Sequence, residues 1–392
     1  MKTLYLPEIL LPVDGTDMEK WAVNACDQFT SDYAYWQEVE KIVAGHPSTF
    51  NLIFPEIYLK DKPDERIKKI NSTMQEYLDS GVFKCVTGGF ILVERSTESG
   101  TRTGIVLAVD LEDYSFIKGD NAVIRSTEAT VPERIPPRVE IRKDASIELP
   151  HAMLLYNDEK NVVLNSVKRG KVLYDFDLQM NGGHVKGTFI DNSVEVAENL
   201  LSLKDASGML FAVGDGNHSL ATAKTCWDNL KKNLSSKERE NHPARFALCE
   251  IVNIFDPALN FEPIHRLLKC ENAHKFVEEY KTFGSNKAYI VVDGQKHEIP
   301  FSDNIPEGIR ALDESISEFI KNNGGEVDYI HGEAELTTFT QEKGSVGILL
   351  PAIAKSDFFN LIISGGNLPR KTFSMGEGNE KRYYIEAKKI RV

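Results

Sequence analysis

The residues best suited to chemistry lie in one segment, Phe211-Ala-Val-Gly-Asp-Gly-Asn-His-Ser219. Its apolar start predicts the end of a buried strand. Apolar residues that recur at helical spacing from Leu220 to Leu234 predict a helix directly after it. Gly214 and Gly216 allow a sharp turn between the two, because glycine adopts backbone angles that other residues resist. A helix that begins in such a turn presents unpaired backbone N–H groups, so we expect an anion to bind there.

The side chains around this turn could take part in a reaction as well as in binding. They are an acid, an amide, an imidazole and a hydroxyl: Asp215, Asn217, His218 and Ser219. The segment is not a dinucleotide fingerprint, since Ser219 stands where the third glycine belongs. The chain also lacks a G-x-x-x-x-G-K-[ST] phosphate loop and a G-x-S-x-G nucleophile elbow. The alternative is an ordinary tight turn that tolerates polar residues, and the crowding of four reactive side chains favours an active site.

Three other segments carry candidate ligands for anionic groups, because the planar guanidinium of arginine suits two-point contact with phosphate or carboxylate. They are the cluster Arg125, Glu128, Arg134, Arg138 and Arg142; the pair His265 and Arg266; and the pair Arg370 and Lys371. The alternative for the first is a solvated loop with internal ion pairs. For the second it is a structural role, and for the third it is a β-turn connection. His265 is also a candidate general base.

The nine histidines are dispersed and form neither H-x-x-x-H nor H-E-x-x-H, so a transition-metal site is not favoured. Magnesium needs only one or two carboxylates together with substrate phosphate. We therefore predict Asp215 as the Mg²⁺ ligand or the acceptor of a substrate proton. Asp27 is the second candidate acid for either role.

Composition narrows the classes of partner. Lysine and arginine number 46 against 59 aspartates and glutamates, and the net charge of −13 argues against nucleic acid or an anionic membrane as the main partner. No apolar run approaches the roughly 18–20 residues of a membrane helix, and the N-terminus lacks a leader pattern, so we expect a cytoplasmic protein. Five scattered cysteines without a C-x-x-C pair disfavour disulfide scaffolding. Assembly into a homo-oligomer stays open.

Helical and strand patterns alternate irregularly along the 392 residues. We expect a mixed α/β (α+β) architecture, with a complex mixed sheet and flanking helices, rather than a doubly wound Rossmann fold. One helix is predicted at 63–80 and a short strand at 161–164. An extended loop is predicted where Pro132, Pro136 and Pro137 cluster.

A polar stretch near residues 270–273 is the candidate domain boundary. It predicts a main α/β body over residues 1–270 that carries the Gly214–Ser219 turn. It also predicts a smaller C-terminal α/β subdomain over residues 271–392, whose end could return to the site.

Five segments, in their order along the chain, resemble a bacterial and archaeal family known as domain of unknown function 1015. They are Trp21-Ala-Val-Asn-Ala-Cys-Asp-Gln28, Arg125-x-x-Glu128-x-Thr130, Gly214-Asp-Gly-Asn-His-Ser219, Pro263-x-His265-Arg266 and Leu368-Pro-Arg-Lys-Thr-Phe373. The family commonly carries Asp-Gly-His-His-Arg at the turn, and this chain departs from it at Asn217 and Ser219. The Asp-Gly-x-His turn is similar to the phosphate-binding motif of the ParB and sulfiredoxin group, which includes kinases of free serine. The resemblance implies phosphate binding and a kinase-like activity.

These observations predict a small-molecule phosphotransferase that uses ATP or ADP with Mg²⁺ and acts on free serine or a similar small hydroxy or amino acid. The predicted catalytic residues are Asp215, His218 and Asp27. The predicted phosphate or nucleotide ligands are Gly214, Gly216, Asn217, Ser219, Arg125, Glu128, Arg138, Arg142, His265, Arg266, Arg370 and Lys371. A phosphatase of a small phosphometabolite, a non-catalytic nucleotide or phosphometabolite sensor, and a structural protein are the alternatives.

Overall fold

The computed structural model describes residues 3–26, 29, 32–59, 62–128, 130, 132–150, 152–281 and 283–392. The chain divides into two compact units. Unit 1 consists of Met1–Leu259 and Glu377–Val392, and unit 2 consists of Asn260–Gly376. Unit 2 is therefore inserted in the sequence between the two parts of unit 1.

Unit 1 contains sixteen strands among its described residues. They are β1 (Leu4–Tyr5), β2 (Ile9–Pro12), β3 (Val23–Asn24), β4 (Phe83–Val86), β5 (Ile91–Thr97), β6 (Gly100–Asp110), β7 (Tyr114–Ser115), β8 (Ile124–Ser126), β9 (Ile147–Glu148), β10 (Met153–Tyr156), β11 (Arg169–Asp177), β12 (His184–Ile190), β13 (Phe211–Asp215), β14 (Phe246–Asn253), β21 (Tyr383–Tyr384) and β22 (Lys388–Lys389). Its helices are α1 (Met18–Trp21), α2 (Tyr33–Val43), α3 (Pro63–Asp79), α4 (Ile135–Arg142), α5 (Val162–Ser166), α6 (Ser193–Ser202), α7 (Asn217–Leu230) and α8 (Ser236–Asn241).

A ten-stranded sheet organises unit 1, in the order β11-β12-β5-β6-β14-β10-β13-β8-β7, with β1 beside β6. The pairs β10–β14, β13–β8 and β7–β8 are parallel and the others are antiparallel. The predicted mixed α/β architecture, with a complex mixed sheet and flanking helices, is confirmed. The C-terminal strands β21 and β22 pair with β3 and β9, so the end of the chain is built into unit 1.

Both faces of the large sheet are covered. Side chains alternate between the faces along a strand, and in β6 the residues Ile105 and Leu107 belong to one core cluster while Val106 belongs to another. The first cluster includes Leu220 and Trp227 of α7, so this helix packs on that face. β14 lies between β6 and β10 in the sheet. It is buried along its whole length because both faces of the sheet are covered there.

Unit 2 is a smaller α/β body with an antiparallel six-stranded sheet, ordered β17-β16-β19-β15-β18, with β20 beside β15. Its strands are β15 (Phe261–Lys269), β16 (Asn286–Val292), β17 (Gln295–Phe301), β18 (Glu326–His331), β19 (Ser345–Leu349) and β20 (Phe373–Met375). Its helices are α9 (Ala273–Glu279), α10 (Ile305–Asn323), α11 (Glu333–Phe339) and α12 (Lys355–Gly365). None of the described helices of either unit has the length and apolar character needed to cross a membrane.

Two local predictions are wrong. The prolines predicted to form an extended loop instead begin a helix, since Pro132 starts a 3-10 turn and both Pro136 and Pro137 lie in the first turn of α4. Proline is tolerated there because the first N–H groups of a helix have no intrahelical partner. The strand predicted at 161–164 is the start of α5, where Asn161 takes a left-handed conformation (φ 53°) just before the helix.

Candidate active site

The turn at Gly214–Ser219 joins β13 directly to α7. Gly216 occupies the N-cap position with φ 79° and ψ 28°, a left-handed conformation that glycine adopts without the steric cost of a Cβ. As a glycine, Gly216 has no side chain with which to cap this 14-residue helix. The strand–turn–helix arrangement predicted from the sequence is therefore present, and the positive end of the helix dipole opens at the turn.

Asn217 fixes the turn to the neighbouring strand β8. Its Oδ1 accepts hydrogen bonds from the Ser126 hydroxyl (2.6 Å) and from the Thr127 backbone N–H (3.2 Å). The Thr127 hydroxyl in turn donates to the Val213 carbonyl oxygen (2.6 Å). These bonds hold the turn in one conformation, so the Asn217 side chain has a positioning role in this structure.

Asp215 ends β13 and pairs with a lysine from the C-terminal segment. Its Oδ2 lies 3.2 Å from Nζ of Lys381, and its Oδ1 accepts the Gly216 backbone N–H (2.8 Å). The lysine side chain is only 14% exposed. An ammonium has three donors, and Asp215 is the one partner of this ammonium among the described residues. The site thus combines a helix N-terminus with a nearby cation.

Arg382, the residue after Lys381, binds Glu250, a carboxylate that lies level with Asp215 across the sheet. Met153 of β10 pairs with both Asp215 of β13 and Glu250 of β14, so the two carboxylates are separated by one strand. Arg382 forms ion pairs with Glu250 and with Glu386 (2.6 Å to the latter). Two successive cations of the C-terminal segment therefore contact the sheet beside the turn.

A cavity of about 240 Å³ borders the first two turns of α7. Its polar and charged lining side chains are Ser219, Thr222, Glu56, Arg138, Arg142 and Glu148. Its apolar lining includes Ala25, Trp36, Leu52, Phe54, Met74, Ile141, Ile147 and Tyr384. The structure thereby brings together three of the residues predicted to bind a nucleotide: Ser219, Arg138 and Arg142.

Both arginines of the cavity have carboxylate partners. Arg138 forms an ion pair with Glu56, and Arg142 forms one with Glu148. Glu148 is buried and also contacts Lys388 (3.3 Å). Burial alone would raise the pKa of Glu148, but Lys388 and Arg142 outweigh it and hold the pKa below its usual value. Glu148 is therefore ionised at neutral pH and balances the charge of Arg142.

Arg125 and Glu128 lie at the end of β8, next to the turn in the sheet order. Arg125 is buried, and its guanidinium donates to the carbonyl oxygens of Ala122 (2.9 Å) and Ser207 (3.2 Å). These contacts give Arg125 a structural role in joining two loops. Glu128 is half-buried.

The remaining predicted ligands belong to unit 2. Arg266 is fully buried in β15, where its guanidinium forms two bonds to Asp313 of α10 (2.8 and 2.9 Å) and donates to the backbone of Lys371 (2.7 Å). Arg370 and Lys371 have exposed side chains. Arg266 therefore has a full set of partners within its own unit.

His265 is also buried in β15, and its Nδ1 accepts the backbone N–H of Leu350 (3.1 Å). Burial, reinforced by the charge of Arg266, lowers the pKa of His265 to about 4, although Glu333 acts in the opposite direction. The imidazole is therefore neutral at physiological pH, with Nδ1 as an acceptor.

This burial makes the stability of the chain depend on pH. In the unfolded chain, His265 binds a proton below its ordinary pKa of about 6.5. In the folded chain it stays neutral until the pH falls to about 4. Stability is therefore lost as the pH falls through this window, by about 2 kcal/mol between pH 7 and 5. Urea unfolding at the two pH values measures the loss. In His265→Asn, whose Oδ1 can still accept the Leu350 N–H, the loss should be smaller by that amount; an unchanged pH dependence would contradict the assignment.

Sequence reasoning missed Lys381 and Arg382, which lie more than 160 residues after the turn and belong to no recognisable motif. It also missed the anchoring role of Ser126 and Thr127. The weak signal for the lysine was a cluster of charged residues after Gly376. Asp27, the second candidate acid, lies outside the described residues. No group of three histidine, cysteine, aspartate or glutamate side chains that could hold a metal is found in the parts of the chain that the structure describes.

Comparison with solved structures finds distant similarities. The chain aligns with SbnI with a C-terminal truncation from Staphylococcus aureus at a TM-score of 0.38 and 8% identity, over 69% of this chain and 82% of the other. It aligns with a free serine kinase in complex with AMP at a TM-score of 0.41 and 10% identity, over 73% and 91%. A conserved hypothetical protein from Pyrococcus furiosus gives a TM-score of 0.37 and 12% identity, over 69% and 90%.

No curated protein matches the chain in sequence. A family model, in contrast, matches residues 10–388 and so includes the turn, the arginine cluster and both units. The chain belongs to this family, which is described as "Protein of unknown function (DUF1015)".

Proposed function

We propose that the chain is a small-molecule phosphotransferase and that the turn Gly214–Ser219 binds the phosphates of its nucleotide. The observation that carries the proposal is the ammonium of Lys381, which pairs with Asp215 just before the first turn of α7, a helix whose N-cap residue is a glycine without a capping side chain. Backbone N–H groups at a helix N-terminus and an adjacent lysine are the donors that phosphate oxygens require. The likeness of this Asp-Gly-x-His segment to the phosphate-binding turn of the ParB and sulfiredoxin group supports the same role.

The proposed division of roles follows the positions of the side chains. Lys381, held by Asp215 through one of its three donors, contacts the phosphates with the others. His218 and Ser219, the second and third residues of α7, add donors beside the backbone N–H groups. Phosphoryl transfer depends mainly on positioning and on stabilising charge, so this set of donors is sufficient for most of the catalytic effect.

Asp215 is the proposed acid–base residue and Mg²⁺ ligand. Its Oδ1 accepts the Gly216 N–H and its Oδ2 pairs with Lys381, so the carboxylate lies at the turn where the phosphates bind in this proposal. From that position it receives the proton of a substrate hydroxyl or ligates the Mg²⁺ that accompanies the nucleotide. Mg²⁺ bound there would neutralise part of the negative charge of the phosphates. The proposed acceptor is free serine or a similar small hydroxy or amino acid.

The proposal is tested by binding and by turnover. A ligand that binds only the folded state raises the melting temperature by mass action. We expect ADP with Mg²⁺ to raise the Tm of the chain, and ATP with Mg²⁺ and serine to yield ADP and phosphoserine, detected by a coupled assay and mass spectrometry. If no nucleotide and no inorganic pyrophosphate shifts the Tm, the phosphate site itself is refuted. Nucleotide binding without transfer to any small hydroxy acid would favour the sensor alternative.

Two substitutions separate binding from reaction. Asp215→Asn should lower kcat by about 100-fold or more, because general base catalysis contributes roughly 10²–10⁴-fold, while ADP binding measured without Mg²⁺ persists. Lys381→Met should weaken ADP binding by about ten- to hundred-fold, since a hydrogen bond to a charged group contributes about 1.5–3 kcal/mol. The matched control is Lys231→Met. Lys231 follows the last residue of α7, at the end away from the turn, and it also pairs with carboxylates, those of Asp228 and Glu112. Equal effects of both lysine substitutions on ADP binding would contradict the proposed role.

A further inference from the structure

We infer that the cavity beside α7 receives the base of the nucleotide whose phosphates lie at the turn. This inference rests on the proposed function and adds to it the position and the chemical character of a second subsite. The cavity is lined by four segments of unit 1, namely the first two turns of α7, helix α4 with the loop that follows it, residues 52–56 and residues 25–26, and by the single residues Trp36, Met74 and Tyr384.

The size of the cavity fits a single ring system. Pockets that enclose whole drug-sized ligands measure about 300–1,000 Å³, whereas this cavity measures about 240 Å³. A whole nucleotide therefore does not fit inside it, and the phosphates must lie elsewhere. The aromatic rings of Trp36, Phe54 and Tyr384 and the thioether of Met74 provide the apolar and polarisable surface against which a flat ring packs favourably.

The cavity lies at a suitable place along α7. Ser219 and Thr222 are the third and sixth residues of the helix, and at a rise of 1.5 Å per residue they lie roughly 4–9 Å along the axis from Gly216. A ligand with its phosphates at the turn can therefore place a ring in the cavity through a sugar-sized spacer. Ser219, proposed above as a donor to the phosphates, also lines the cavity, so the turn and the cavity adjoin at this residue.

The charges of the cavity wall favour a neutral occupant. Its two arginines, Arg138 and Arg142, are each paired with a glutamate, Glu56 and Glu148 respectively. The two arginines of the wall are therefore engaged by carboxylates, whereas the turn presents backbone N–H groups and the Lys381 ammonium, which has three donors and one described partner, Asp215. A neutral base fits the cavity and an anionic phosphate fits the turn, so the two subsites together match a nucleotide.

The test compares ADP with inorganic pyrophosphate, which has the phosphates but no base, by titration calorimetry in Mg²⁺. Wild type should bind ADP at least ten-fold more tightly than pyrophosphate. Thr222→Met, which adds volume to the cavity, should weaken ADP binding at least ten-fold and leave pyrophosphate binding within two-fold. The matched control is Thr225→Met, because Thr225 makes the same bond to the carbonyl four residues earlier (2.8 Å) but does not line the cavity.

A second cavity variant guards against an indirect effect through the turn, because the Thr222 hydroxyl donates to the His218 carbonyl oxygen. Ala25→Leu adds volume to the cavity from a different segment of the chain and should give the same selective loss. Equal affinity of wild type for ADP and pyrophosphate would overturn the inference and leave the phosphate site intact. Unchanged ADP binding in both cavity variants would also overturn it. If wild type binds neither ligand, the proposed function fails as well.

Discussion

Arg382→Met is expected to lower the free energy of unfolding of unit 1 by about 3–5 kcal/mol, because removing one partner of a buried ion pair leaves an uncompensated charge. Glu250 and Glu386, the partners of Arg382, are both buried in unit 1, and the Tyr174 hydroxyl also donates to Glu386. Burial alone would raise the pKa of Glu250, but Arg382 and Arg102 outweigh it and keep the pKa below its usual value. The loss is measured by urea unfolding followed by circular dichroism.

The control for this prediction is an exposed arginine with the same kind of partner. Arg169 forms two bonds to Glu94 (2.6 and 2.8 Å) with more than half of its side chain exposed. Arg169→Met should therefore cost only about 0–1 kcal/mol. Adding Glu250→Gln to the Arg382→Met variant should recover part of the loss, since it removes one of the uncompensated carboxylates. If Arg382→Met costs no more than the control, the buried network does not stabilise the fold.

The sequence was sufficient for the strand, turn and helix of the candidate site because their signals are local. An apolar run ends at Val213, two glycines follow within three residues, and the helical spacing begins at once. The loop predicted at the prolines of α4 is wrong because the signal of these prolines is not decided locally. Proline marks a loop and a helix start equally well, and only the packing of α4 against α7 decides between them.

Two strands of unit 2, β17 and β15, lack the local hydrophobic pattern by which a strand is predicted from sequence. β17 has the sequence Gln-Lys-His-Glu-Ile-Pro-Phe and is exposed along most of its length, because it is an edge strand that needs no alternating apolar side. β15 contains a proline and carries Arg266 in its buried part. That arginine is buried only because Asp313, 47 residues later, returns to neutralise it. The same holds for Lys381 and Asp215, whose contact is set by the fold rather than by spacing.

Arg266→Leu is expected to destabilise unit 2 by about 3–5 kcal/mol, because Asp313 then loses the guanidinium that balances its charge. The guanidinium is fully buried, forms two bonds to Asp313 and also donates to the carbonyl oxygens of Ile264 and Lys371 (2.7 Å each). Leucine fills part of the volume but leaves these acceptors unpaired. Urea unfolding followed by the near-ultraviolet signal of the unit 2 tyrosines, with amide hydrogen exchange in β15, locates and measures the loss.

The matched control for Arg266→Leu lies on the same strand. Lys269 pairs with Asp328 (2.8 Å) at an exposed position, so Lys269→Leu should cost about 0–1 kcal/mol. The comparison also decides between the two roles that the sequence left open for Arg266. A structural arginine destabilises unit 2 when replaced and leaves the ADP affinity of the still-folded protein unchanged. Replacing a phosphate ligand would instead weaken the ADP affinity of the folded protein. The five hydrogen bonds that the Arg266 guanidinium makes within unit 2 lead us to expect the first result.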